Sequence, residues 1–247
     1  MLCPKCSFEQ SDGNLECAKC GIIFRKYRGP VVSGTKLKVR PTQNPPEILE
    51  EKGFVRSLFF DVEPGINPFY FGGRVLLFLL LIILGCKFAF SPFTSNNAAT
   101  HFLHLVNLPF HEAGHLIFRP LGRFMTSLGG SLGQLLMPLV CFIAFLVVKR
   151  DAFGASVCLW WFGENFLDLA PYINDARALS LPLLGGNTGR TAPYGFHDWE
   201  YILKETGWLR YDQTLAGFAH KFGILLMGLA LVWAGFLLFR QYKNLDV

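Results

Sequence analysis

Residues 75–84 run Val75-Leu76-Leu77-Phe78-Leu79-Leu80-Leu81-Ile82-Ile83-Leu84, without one polar side chain. A half-buried strand would alternate, and a surface helix would show a polar face every 3.6 residues. This run does neither, so it is read as a helix in lipid, where the backbone must satisfy its own hydrogen bonds. It extends over 75–91. Four further apolar blocks follow at 100–118, 128–148, 153–173 and 216–239. Each is near the ~17–25 residues that cross the hydrocarbon layer. Composition agrees: of 247 residues 51% are hydrophobic, only 17% are charged, and mean hydropathy is +0.34. A soluble domain carries about a quarter charged residues. The expected fold is an all-α polytopic membrane protein with about five transmembrane helices.

The net charge of +5 is modest, and the basic residues are scattered between apolar blocks. That pattern fits contact with anionic lipid and a topology signal, and no nucleic-acid partner is expected. The chain opens on Cys3-Pro4-Lys5-Cys6 rather than a basic patch and an apolar core, so no cleaved leader is expected. Four parts follow: a polar module at 1–28, a Gly/Pro-rich flexible linker at 29–52, an aromatic interfacial segment at 53–74, and the membrane domain at 75–247. In the polar loop 174–215 a short helix is expected, with Asp198 as its cap, Glu200 in its first turn and Gly207 at its end. No internal repeat stands out. With the N-terminus in the cytoplasm, five crossings put residues 1–74, 119–127 and 174–215 inside with most of the 23 basic residues. The C-terminus is then outside, and Lys149-Arg150 is on the wrong side.

Four of the seven cysteines lie in the first twenty residues, as Cys3-x2-Cys6 and Cys17-x2-Cys20. Each C-x2-C turn offers two thiolates, and zinc takes four in a tetrahedron. A structural zinc ion is expected there; a pair of disulfides is the competing reading, disfavoured in a reducing cytoplasm. The segment resembles the short zinc ribbons that many bacterial proteins carry at a terminus, a docking or structural module with no open coordination position. Cys86, Cys141 and Cys158 are read as small buried hydrophobes.

The second apolar block contains Pro109-Phe110-His111-Glu112-Ala113-Gly114-His115. Residues four apart on a helix share a face, so two imidazoles can grip one zinc ion while Glu112 reaches a water beside it as general base. Two histidines and a glutamate in an apolar helix are costly unless they pair or bind something. His101 and His104, upstream, are read as interfacial or structural.

An HExxH inside a hydrophobic helix, followed by a carboxylate on a later hydrophobic helix, resembles the site-2 protease family of intramembrane zinc metalloproteases. The resemblance covers roughly residues 75–175. It implies a third zinc ligand at the end of a later helix, where this chain reads Leu167-Asp168-Leu169-Ala170-Pro171-Tyr172-Ile173-Asn174-Asp175. Asp175 is preferred and Asp168 competes. The resemblance also places glycine and amide residues beside the site, matched by Gly129-Gly130-Ser131-Leu132-Gly133-Gln134. Gln134 and Asn174 are candidates to hold the oxyanion or substrate, with plain glycine-mediated packing as the alternative. His197-Asp198 is read as loop capping, with gating or metal binding as the alternative.

The activity that follows is hydrolysis of peptide bonds in or beside membrane-embedded segments of protein substrates. It uses one catalytic zinc on His111, His115 and Asp175, in a bacterial inner membrane. The competing reading is a non-proteolytic adaptor that docks a protein partner on its ribbon and carries a degenerate metal site.

Overall fold

The computed structural model describes residues 1–27, 53–62, 66–94 and 102–245. The expected linker 29–52 and His101 lie outside the described residues. The chain divides into two units, Met1–Glu50 and Glu51–Val247.

The first unit is built from two matching knuckles. Cys3 N donates to Phe8 O and Ser7 N to Cys3 O; Cys17 N donates to Ile22 O and Gly21 N to Cys17 O, all at 2.9 Å. Isolated bridges pair Leu2 with Glu9 and Glu16 with Ile23. Both turns need a residue at positive φ, Ser7 at 55° and Gly21 at 70°, which glycine adopts without strain. The ribbon is therefore an internal repeat after all. Only the cysteines and the lysine within each turn are shared, too little to stand out in sequence.

The second unit is helical, and no strand forms among the described residues. Its helices are α1 (Phe54–Phe60), α2 (Pro68–Ala89), α3 (Phe102–Phe118), α4 (Arg123–Ile143, extended by a π turn at Ala144–Val148), α5 (Ala152–Asn174), α6 (Asp198–Glu205) and α7 (Asp212–Tyr242). Polar side chains cap α2 and α5. Asn67 accepts from Phe69 N ahead of Pro68, and Asp151 accepts from Gly154 N. The core is apolar. Leu81 and Phe88 of α2 meet Trp160 and Leu167 of α5 and Met227 and Ala230 of α7.

Three stretches are long and apolar enough to cross a membrane: Pro68–Ala89, Arg123–Val148 and Leu209–Tyr242. Helix α5 has the length, but Glu164, Asn165 and Asp168 lower its hydropathy. It nevertheless covers the bundle. Its cap Asp151 meets Arg74 of α2 at 3.2 Å, and just past its other end Arg177 binds Asp212 at the start of α7.

The expected count of about five crossings is not confirmed, since only three stretches among the described residues qualify by length and hydropathy. At one end of the bundle Ile66 bridges to Leu245, Phe71 packs on Tyr242, Trp233 Nε1 donates to Phe59 O, and Arg74 pairs with Asp151. The start of α2, the α4–α5 turn and the end of α7 therefore lie together. At the other end Phe93, after α2, packs on His220 of α7, and Arg123, opening α4, donates to Tyr194 O. Both flanks of α3 belong to this second end, so α3 enters and leaves on the same side. Its 17 residues span only about 25 Å at 1.5 Å each, and Pro109 lies within it without ending it. Apolar length predicted a crossing for α3, but α3 is not among the stretches long and apolar enough to cross. The arrangement also explains Lys149-Arg150, which falls at the same end as residues 54–74.

Two smaller expectations change. Cys86 is exposed on α2 rather than buried, while Cys158 is buried and Cys141 partly so. The cap of α6 is His197, whose side chain accepts from Glu200 N, so Asp198 is the first helical residue. Gly207, at φ 72°, follows the end of α6 as expected.

Candidate metal centres

In the first unit the four thiols converge. Cys3 Sγ lies 3.7 Å from Cys20 Sγ, and Cys6 Sγ 3.7 Å from Cys17 Sγ. A tetrahedron with ~2.3 Å zinc–sulfur bonds has edges of about 3.8 Å. All four cysteines are free of disulfides. This group can hold a metal ion, and its ligand-to-ligand distances fit zinc.

In the second unit His111, Glu112 and His115 bring their ligand atoms within 4.8 Å of one another. The register that does so depends on small residues. A Cβ on Gly114 would overlap the carbonyl oxygen of Gly129, and one on Gly130 would lie 2.5 Å from His111 Nε2 and 2.7 Å from His115 Nε2. Glycine at both positions lets α3 and α4 meet backbone to backbone, with the imidazoles lying across α4.

Hydrogen bonds fix both ring tautomers. Gln134 Nε2 donates to Asp168 Oδ2 at 2.8 Å, so the other end of the amide, Oε1, faces His111 Nδ1 at 3.1 Å. Oε1 can only accept, and His111 therefore carries its proton on Nδ1. His115 Nδ1 lies 2.8 Å from the carbonyl oxygen of Thr126, which also can only accept. In the neutral form of each ring the lone pair is then on Nε2. Both Nε2 atoms face one oxygen, Asp198 Oδ2, at 3.2 Å and 3.3 Å. Three electron-pair donors thus converge where nothing but a proton or a cation can reconcile them. Two imidazoles and a carboxylate are a zinc donor set.

Behind this group lies a buried polar network. Asp168 is its hub, accepting from Gln134, from Asn107 Nδ2 at 3.1 Å and from His104 Nδ1 at 2.8 Å. Asn107 also donates to Glu164 Oε2 and accepts from Trp161 Nε1. Asp168 is therefore not at the histidine pair but one amide behind it. His104, read as interfacial or structural, takes the structural place, stacked on Tyr172 and bonded to Asp168. Asn107, 1% exposed, escaped the sequence reading; a lone amide in an apolar block was its available signal. Nothing in the sequence marks Thr126, which acts through its backbone.

The expectation that Asp175 joins His111 and His115 is not met. Asp175 ends α5, and its carboxylate accepts from Ser180 N and Oγ, and from Leu181 N, with His197 Nε2 at 3.4 Å. Burial works to raise its pKa, but His197 and the Leu181 and Ser180 donors outweigh that and hold it below the usual carboxylate range. Among the described residues it makes no ion pair with the HExxH histidines. The carboxylate that meets both histidines is that of Asp198, the first residue of α6. The oxyanion candidates also shift. Gln134 has both ends of its amide engaged, and Asn174 is not in the cavity wall.

The histidine pair opens into a cavity of about 650 Å³, within the ~300–1,000 Å³ usual for ligand sites. Glu112, Asp168 and His104 line it beside Leu105, Leu108, Leu169, Leu183, Phe196 and Trp199. In comparisons with protein-family models, curated proteins and solved structures, nothing matches this chain.

Proposed function

We propose that this chain is a membrane-embedded zinc endopeptidase, with His111, His115 and Asp198 holding the metal and Glu112 as general base. The observation that carries the reading is the convergence of two tautomer-fixed Nε2 atoms and one carboxylate oxygen beside Glu112. A zinc ion so held polarises a peptide carbonyl and lowers the pKa of water toward ~7. Glu112 takes a proton from the attacking water and returns it to the leaving amine, so one water is consumed and one amide becomes an acid and an amine. Gln134 and Thr126 keep the two rings turned, Asp168 holds Gln134, and the leucine, phenylalanine and tryptophan walls receive an apolar stretch of polypeptide and exclude bulk water. The substrate class is therefore an apolar segment of a membrane protein or peptide.

The test compares membrane proteins from cells carrying wild-type protein with those carrying Glu112→Gln. Full-length substrates should accumulate in the variant, and wild-type membranes should yield new peptide termini in or beside apolar segments. Identical termini in both would overturn the peptidase reading and favour the adaptor.

A further inference from the structure

His197 is 2% exposed and immediately precedes Asp198. Its Nδ1 accepts from Glu200 N at 3.1 Å, capping α6, so Nδ1 carries no proton. In the neutral ring the proton is on Nε2, and Nε2 lies 3.4 Å from Asp175 Oδ2. Asp175 itself is 3% exposed. It also grips the chain that has just left α5, through Ser180 N at 3.0 Å, Ser180 Oγ at 2.8 Å and Leu181 N at 2.9 Å. One carboxylate thus holds the leaving leg of the 176–197 excursion by three hydrogen bonds and approaches the buried His197 of the returning leg at ion-pair distance, without a hydrogen bond, and the returning leg carries Asp198.

We propose that Asp175 and His197 are a positioning pair that sets Asp198 against His111 and His115, so that the metal site is completed by a loop locked to α5. The inference rests on the reading of those three residues as metal ligands. Zinc–oxygen bonds are only ~2.0–2.2 Å long, so a shift of a few tenths of an ångström at Asp198 matters. The capping bond places the α6 terminus, but it leaves the imidazole free to swing about its accepting nitrogen. The Asp175 carboxylate, 3.4 Å from Nε2, opposes that swing by its charge. The resemblance that made Asp175 a ligand thus marked a residue that acts on the ligand from behind.

The test separates the two jobs of His197. In His197→Asn the shorter side chain keeps an acceptor near Nδ1, so α6 stays capped, but nothing replaces the Nε2 proton. Asp175→Asn keeps size and one acceptor while turning an amide toward Nε2. Full-length protein with its ribbon intact is loaded with zinc or cobalt. Three quantities are measured: metal affinity at the histidine site by chelator competition, the cobalt visible spectrum, and thermal unfolding.

Both variants should bind that metal about 10- to 100-fold more weakly, the range for lost outer-shell partners. The histidine-site cobalt bands should change, the His197→Asn unfolding midpoint should stay within a few degrees of wild type, and excess zinc should restore cleavage. Asp198→Ala should lose the metal and not be rescued. If Asp198→Ala loses the metal while both positioning variants keep wild-type affinity and spectrum, the positioning role is wrong and the site reading stands. If affinity falls only in step with unfolding, the pair is merely structural and the proposal is again overturned. If Asp198→Ala keeps the metal, the site reading itself fails.

Discussion

At the residue scale, the site depends on which atom of each side chain is committed elsewhere. His111 and His115 spend Nδ1 on Gln134 and on the Thr126 carbonyl, which leaves Nε2 for the cavity. Glu112 lies in the cavity wall beside them. As a base and not a ligand, Glu112→Gln is expected to slow cleavage by about 10² to 10⁴ with zinc content and helix content unchanged. Wild-type turnover by this variant would falsify the mechanism. Asp168→Ala should behave differently. It strips the acceptor from His104, Asn107 and Gln134, at about 1–3 kcal/mol for a buried donor left unpaired. Its unfolding midpoint should drop clearly while some zinc remains at the histidine pair, because His111, His115 and Asp198 are all still present. Complete loss of that zinc in folded protein would move Asp168 into the ligand set.

At the element scale, the α3–α4 seam is set by glycine. Gly114, Gly129, Gly130 and Gly133 stand where any Cβ would strike the facing backbone or the two imidazoles. Gly130→Ala tests this. Its methyl would lie within 2.7 Å of both Nε2 atoms, so the rings must turn or the helices must part. The expected result is folded protein whose histidine site has lost most of its zinc affinity, read by metal analysis after gel filtration. Gly72→Ala has open space around its Cβ and should change neither. Equal zinc affinity in the two variants would mean the seam is looser than the glycines imply.

At the scale of the whole molecule, the bundle has its N-terminal and C-terminal helix ends together, and the metal cavity opens between elements of the opposite end. Within the bundle Arg56, Arg74, Lys149, Arg150, Arg240 and Lys243 mark the end where α2 starts and α7 finishes, and Lys87, Arg119, Arg123, Arg177, Arg190, Lys204, Arg210 and Lys221 mark the opposite end or the loops there. Nine further lysines and arginines precede α1 in the sequence, so the prediction from the positive-inside rule is that the start of α2 faces the cytoplasm and the cavity the other face. Single cysteines at 56 and 245 should be labelled from the cytoplasmic side by an impermeant maleimide, and one at 200 from the outside. Labelling of 56 and 245 from opposite sides would restore an odd number of crossings. Metal content follows the two units separately. Wild-type protein should carry two zinc ions per chain, Cys17→Ser one, and Cys17→Ser with His111→Ala none.

Much of this was legible in the chain itself. Hydropathy gave the helices, because an apolar run in lipid has no alternative to a self-bonded backbone. The C-x2-C pairs and the HExxH spacing marked both candidate metal groups, because the two members of each pair lie close along the chain, although the meeting of the two knuckles, Cys3 with Cys20 and Cys6 with Cys17, joins residues farther apart. What failed was everything requiring distant segments to meet. A 17-residue apolar helix reads the same whether it crosses or returns, and its neighbours at Phe93 and Tyr194 distinguish the two. Asp175 and Asp198 are both acidic residues beside apolar helices. Which one reaches the histidines was decided by the fold of the intervening loop, which turns Asp175 back onto Ser180, Leu181 and His197 and carries Asp198 to Nε2 of His111 and His115.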